Sequence, residues 1–149
     1  MSYWDTACLV KLYAPEADSL LFRQHAATMV HRLFTGEFAR LELWTTLRRK
    51  EAEGILAAGE AKKLLVAFDK HISVGVVRVV PLGERMKAEF ERVVDICLDQ
   101  KPPLLIRTLD ALHLAAAKES GETEIVTTDK RLREATALLG FALFPPKTL

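Results

Sequence analysis

Apolar residues along this chain switch between two rhythms, short runs that suit strands and a helical period that suits covering helices. SYWD is an apolar run that passes at once into TACLVKLYA, which predicts a strand ending at Asp5 and then helix. Pro15 and Asp18 open SLLFRQHAA, a helix of about two turns, and VHRLF predicts a second strand. A long helix follows from about Glu37 to Glu53, where Leu41, Trp44, Leu47 and Arg48 keep a roughly 3.6-residue rhythm. Gly54 and Gly59 bracket a break before the helix EAKKLLVAFDKHI. VGVVRVV, a β-branched run closed by Pro81, predicts a strand buried on both faces. ERMKAEFERVVDICLDQ is an amphipathic helix with Met86, Phe90, Val93, Val94 and Cys97 on one side, ending before Pro102 and Pro103. RTLDALHLAAA predicts a buried helix, TEIVTT a strand, DKRLREATALLG a helix with Gly140 at its C-cap, and FALF a last strand before Pro145.

Strands alternating with helices imply crossover units, hence an α/β sandwich with a mostly parallel sheet flanked by helices on both faces. The 149 residues carry no repeat or long linker, so a single domain over 1–149 is expected. Lys and Arg number 21 against 20 acids, a net charge of +1 that supplies no global field for nucleic acid or a membrane, so a polyanion must be gripped locally. No run is long and apolar enough to span a bilayer and no export leader is visible, which makes a cytoplasmic protein the expectation. Cys8 and Cys97 form no Cys-x-x-Cys and read as small core residues.

Ligands of parallel sheets sit beyond the carboxyl ends of the strands. Asp5 and Asp129 occupy that place, directly after SYW and IVTT. Each also suits a helix N-cap, a role worth about 1 kcal/mol. Glu42 shares a narrow polar stripe of its helix with Ala39, Thr45, Thr46 and Arg49, about 100° from the Leu41 row. If Thr108 caps its helix, Asp110 falls in the first turn, where the dipole favours an acid. An ionised carboxylate on so apolar a helix needs a partner.

Over nearly its whole length the chain resembles the PIN-domain nucleases, and among them the VapC-type toxins of toxin–antitoxin pairs. The resemblance rests on WDTACLVKLY, LELWTTLRR, RTLDALHLAAA and IVTTDKRLREA followed by GF, in the family's order and spacing. It implies a parallel sheet between helices and four acids around one or two Mg²⁺ or Mn²⁺ ions that hydrolyse RNA. Position by position these acids are Asp5, Glu42, Asp110 and Asp129, with the hydroxyls of Thr6 and Thr127 supporting them. Asp5, Asp110 and Asp129 are the expected main ligands, and Glu42 the one to act through water or as a base. Ala7 stands where many relatives have Ser, and Trp4 is bulkier than the usual aliphatic. The resemblance also implies a homodimer and a small antitoxin that binds near the site with a helix and an Arg or Lys that displaces metal.

Such a cluster persists only if protons or cations neutralise it. Carboxylates 4 Å apart repel by roughly 4 kcal/mol per pair at an effective dielectric near 20. Oxygen donors without His or Cys select Mg²⁺ or Mn²⁺ over zinc, and the ion activates water and offsets charge at phosphate. Arg107 is expected to pair with an acid or hold phosphate, and His113 to be a satisfied near-core imidazole. Arg48, Arg49 and Lys50, with Lys130, Arg131 and Arg133, are candidates to line a groove for RNA backbone. Two other readings compete. A dehalogenase-type phosphatase wants a second Asp where Ala7 stands, and a catalytically silent domain would only bind a partner protein.

Overall fold

The computed structural model describes residues 1–29 and 33–147. In chain order the elements are β1 (Ser2–Trp4), α1 (Thr6–Tyr13), α2 (Ser19–Thr28), β2 (Leu33–Gly36), α3 (Ala39–Ala52), α4 (Glu60–Ser73), β3 (Val77–Val80), α5 (Glu84–Leu98), α6 (Thr108–Ser120), β4 (Glu124–Val126), α7 (Lys130–Leu138) and β5 (Ala142–Phe144). The strands form one sheet in the order β3-β2-β1-β4-β5, and every pairing is parallel. Successive residues of the central strands therefore serve opposite faces. Trp4 and Val126 join a core with Leu9, Leu43, Leu47, Leu65 and Phe68, while Tyr3 and Ile125 join one with Met86, Val93, Leu114 and Leu132. Helices α1 to α4 thus cover one face and α5 to α7 the other.

This topology places the site. Winding runs outward from β1 through β2 to β3, then returns to β4 and β5 on the other side. The chain leaves β1 toward one face and β4 toward the other, so a crevice opens between the carboxyl ends of these neighbouring strands.

Three expectations need correction. The second strand, described over Leu33–Gly36, runs two residues past VHRLF, whose Val30, His31 and Arg32 lie outside the described residues. The β3 strand lies at the sheet edge, with Val77 and Val80 buried but Arg78 exposed and Val76 46% exposed. A β-branched run suits a half-covered edge as well as a buried centre, and periodicity over so few residues does not separate them. On α3 the core face is Ala39, Leu43 and Leu47, whereas Leu41 is 67% exposed. Trp44 lies half-buried beside it, with the Arg48 and Lys62 cations 5.7 and 5.8 Å from its ring.

Trp4 is a core residue. Its ring meets Phe22 edge-on at 6.2 Å and its indole N–H donates to Ser2 Oγ at 2.8 Å. Cys8 and Cys97 are buried thiols, as expected. No helix among the described residues is long and apolar enough to cross a membrane.

The α1–α2 turn is fastened by Lys11, whose ammonium meets Glu16 and Asp18 at 2.7 Å each, while Lys50 reaches Glu16 at 2.9 Å. Burial opposes ionisation of Glu16, but the two lysines outweigh it and hold its carboxyl below the usual range. Such a group contributes stability above its unfolded pKa and loses it as pH falls through the lower folded value. Lys11→Met should therefore cost about 1–3 kcal/mol at pH 7, by leaving two acids facing each other. The difference from the parent should shrink well below pH 4 as Glu16 protonates, and paired urea titrations at the two pH values measure it. A cost that does not change with pH would contradict this account.

Candidate active site

Each of the acids singled out in the sequence stands at the start of a helix on the carboxyl side of the sheet. Asp5 and Asp129 are the N-caps of α1 and α7, their Oδ1 atoms accepting the N–H of Cys8 at 2.7 Å and of Leu132 at 3.0 Å. Glu42 and Asp110 lie in the first turns of α3 and α6. Arg107, not Thr108, is the N-cap of α6, and its backbone N–H donates to Asp110 Oδ2 at 3.0 Å. The N-cap role and membership of one site are thus compatible for Asp5 and Asp129. All four acids line a single cleft of about 430 Å³, together with Thr6, Ala7, Arg107 and His113.

Asp5 is buried, and loss of solvent pushes its carboxyl up. The charge of His113 and donation from Thr127 Oγ1 and the Cys8 N–H act in the opposite direction and only partly offset burial. Thr127, fully buried, gives its proton to Asp5 Oδ2 and accepts the Asp129 N–H at 3.1 Å. One hydroxyl thereby sets the spacing between the acid that ends β1 and the acid that follows β4.

Glu42 is held differently. Its Oε1 accepts from Thr6 Oγ1 at 2.8 Å and pairs with His113 Nε2 at 2.9 Å. Burial works against ionisation here too, but His113 and Thr6 outweigh it, and the Glu42 carboxyl sits below the usual range. His113 Nδ1 meets the Tyr3 hydroxyl at 2.8 Å, and that hydroxyl accepts the Gly36 N–H at 3.0 Å. An ionised Glu42 can only accept, so His113 carries hydrogen on Nε2, facing Glu42. Gly36 is required beside it, because a Cβ there would lie 2.2 Å from the Phe38 ring, which packs edge-on against His113 at 4.9 Å. His113 is buried with both nitrogens partnered, as expected, and its orientation of Glu42 is an added role. Tyr3 was not singled out in the sequence, where it reads as one more apolar strand residue.

Asp110 is nearly sealed, and burial raises the cost of its charge, but Arg107 more than compensates and holds the carboxyl below the usual range. The same guanidinium reaches Asp129 Oδ2 at 3.1 Å. Arg107 is the partner that the acid on this apolar helix required.

The donor chemistry fits a hard divalent ion: carboxylate oxygens, supported by hydroxyls, with the one imidazole fully engaged. Among the described residues, however, no group of three Asp, Glu, His or Cys side chains is arranged to hold a metal as it stands. Arg107 stands among these oxygens, its one positive charge shared between Asp110 and Asp129.

The proposed basic groove is only partly present. Arg133 is buried and donates to the Thr127 carbonyl at 2.9 Å, Lys50 is committed to Glu16, and Arg48 pairs with Glu51. Lys130 and Arg131 are exposed and line a second cavity of about 490 Å³ that shares Arg107 and Asp129 with the acidic cleft.

The family profile described as PIN domain matches residues 2–138. Ribonuclease VapC46 of Mycobacterium tuberculosis is 30% identical over 146 residues, covering 97% of this chain and 96% of the relative. Ribonuclease VapC35 of the same organism is 28% identical over 151 residues, covering 98% and 97%. Among solved structures, the Mycobacterium tuberculosis toxin VapC20, described as cleaving the sarcin–ricin loop, superposes with a TM-score of 0.67 at 19% identity, covering 95% of this chain and 97% of that one. FitAcB from Neisseria gonorrhoeae gives 0.68 at 16% identity with full coverage of both chains. VapBC2 from Rickettsia felis, bound to a DNA fragment from its promoter, gives 0.64 at 14%, covering 96% and 97%. These structural likenesses bear on the fold.

Thr127 offers a test of how the acids are spaced. Thr127→Val keeps the shape but removes the donor to Asp5 and the acceptor for the Asp129 N–H, which should cost about 1–3 kcal/mol of stability. Since Thr127 favours the ionised form of Asp5, the variant's Asp5 carboxyl should titrate higher still, as followed by carbon-13 NMR. An Asp5 midpoint that stays put or falls would show that Thr127 does not tune it.

Proposed function

This chain belongs to the PIN-domain family, and from that premise we propose that it is a metal-dependent endoribonuclease that hydrolyses RNA phosphodiester bonds as the toxin of a toxin–antitoxin pair. The observation that carries the reading is the gathering of Asp5, Glu42, Asp110 and Asp129, drawn from across the chain, around one cleft at the carboxyl edge of the sheet. The names of its ribonuclease relatives support the same chemistry. In this proposal residues 1–149 act as one domain, in the cytoplasm, with RNA as substrate, a cognate antitoxin protein as inhibitor and a second copy as homodimer partner.

Asp5, Asp110 and Asp129 are the residues that would hold Mg²⁺ or Mn²⁺, with Glu42 joining through water. A divalent ion there supplies activation of water and neutralisation of charge at the phosphate. The chain's own groups do the rest. Thr127 and the Cys8 N–H fix Asp5, and Thr6 and His113 both bind Oε1 of Glu42, leaving its second oxygen to take a proton as general base. Leu109 and Leu132 form the apolar part of the cleft wall and limit the water around the acids.

Asp5→Asn tests the reading with little structural cost, because Asn caps a helix as well as Asp does. RNA cleavage in Mg²⁺ or Mn²⁺ should fall by about a hundredfold or more, while the thermal midpoint without metal is retained. EDTA should abolish cleavage by the parent, and Mn²⁺ should raise the parent's midpoint by mass action but the variant's much less. Undiminished cleavage by Asp5→Asn, or indifference to EDTA, would overturn the proposal.

A further inference from the structure

Arg107 makes more contact with the acids than any ordinary surface pair needs. Its guanidinium forks onto Asp110, with Nε to Oδ2 and Nη2 to Oδ1 at 3.0 Å each, and Nη2 also reaches Asp129 Oδ2 at 3.1 Å. Yet its side chain is 61% exposed while that of Asp110 beneath it is 6% exposed. The cation therefore lies across the mouth of the cleft, between the acids and solvent.

Position and charge decide what this means for an incoming ion. Both oxygens of Asp110 accept from Arg107, and Asp129 gives Oδ1 to the Leu132 N–H and Oδ2 to Arg107. A divalent ion that draws on both carboxylates at once meets the positive guanidinium already lodged between them, and displacing it removes that repulsion. The guanidinium end of the pair is exposed, so water takes up its charge on release even though a forked contact to a nearly sealed carboxylate is given up. The guanidinium also has a destination. Arg107 lines both the acidic cleft and the neighbouring cavity, whose wall carries Lys130 and Arg131 together with Glu134. Released from the acids, it joins two exposed cations beside the cleft, and its planar fork matches phosphate oxygens as well as it matches a carboxylate.

We propose that Arg107 is an exchangeable counterion: it holds Asp110 and Asp129 until a divalent ion replaces it, then turns to grip an RNA phosphate at the mouth of the cleft. The proposal rests on the nuclease reading above and adds a substrate-contacting residue to it. Three roles for Arg107 give different results, and isothermal titration with Mn²⁺ together with steady-state RNA cleavage separates them. Under exchange, Arg107→Gln binds Mn²⁺ about three- to fivefold more tightly, the scale of an exposed ion pair. At saturating Mn²⁺ the same variant loses about ten- to a hundredfold in kcat/KM, mainly through KM, as expected for a lost charge-assisted contact to phosphate. Arg107→Lys should fall between parent and Gln variant in both measurements. If affinity and cleavage both drop, Arg107 only orients Asp110; if both rise, it only blocks the site; either result overturns the proposal, as does unchanged Mn²⁺ affinity. A parent that binds Mn²⁺ but cuts no RNA would instead sink the nuclease reading, while the Mn²⁺ titration of the Gln variant still decides whether exchange occurs.

Discussion

Crowded negative charge at one edge of a parallel sheet is the constraint around which this protein is organised. Carboxylates a few ångströms apart repel strongly in a medium of low dielectric, and the fold answers with helix starts. Asp5 and Asp129 cap α1 and α7, and Glu42 and Asp110 sit in the first turns of α3 and α6, so the positive ends of four helix dipoles face the cleft. Each such placement favours an acid by about 0.3–1 kcal/mol. That is too little to cancel the repulsion, and hydrogen bonds and Arg107 add to it.

Different neighbours give the acids different characters. Asp5, sealed under the end of β1, is pushed toward the neutral form by burial, whereas Glu42 and Asp110 are held ionised by His113 and Arg107. Without a metal, then, two of the four carboxylates are held ionised by dedicated partners, and a third is buried where ionisation is resisted. A divalent ion held beside Asp5 would oppose the effect of burial by favouring the charged form. The Tyr3–His113–Glu42 chain acts from the opposite face of the sheet, because Tyr3 alternates with Trp4 and points into the α5–α7 core. Packing on that side thus sets the position of an acid that α3 supplies from the other.

The parts legible in the sequence were those fixed by neighbours close in the chain. Asp5 and Asp129 directly follow apolar runs, so their place at strand ends could be read, and alternation of runs and helical periods gave the parallel architecture. Legibility failed where distant residues decide. Nothing local distinguishes the Leu41 row of α3 from the Leu43 face, since the choice depends on where α1 and α4 pack. VGVVRVV says nothing about lying at a sheet edge, which follows from the whole strand order. Arg133 looked like a surface cation, yet its partner is the carbonyl of Thr127, a group the side-chain pattern does not display. His113 showed that it belonged on the Asp110 helix but not that it reaches Glu42, whose helix lies 71 positions earlier.

The cations of the surroundings are distributed unequally, and this gives the cleft a direction. On the α1 and α3 side, the cavity of about 300 Å³ next to the acids contains Lys11 and Lys50, but both are spent on Glu16 and Asp18. On the α6 and α7 side, the adjoining cavity contains Arg107, Lys130 and Arg131 against a single acid on its wall beyond the site, Glu134. A net charge of +1 leaves no long-range field to guide a polyanion, so local asymmetry must orient it. A phosphate backbone laid across the cleft is repelled by the acids and attracted on only one flank. Local charge thus favours approach from that flank, whichever way the strand runs, without any contact to a base.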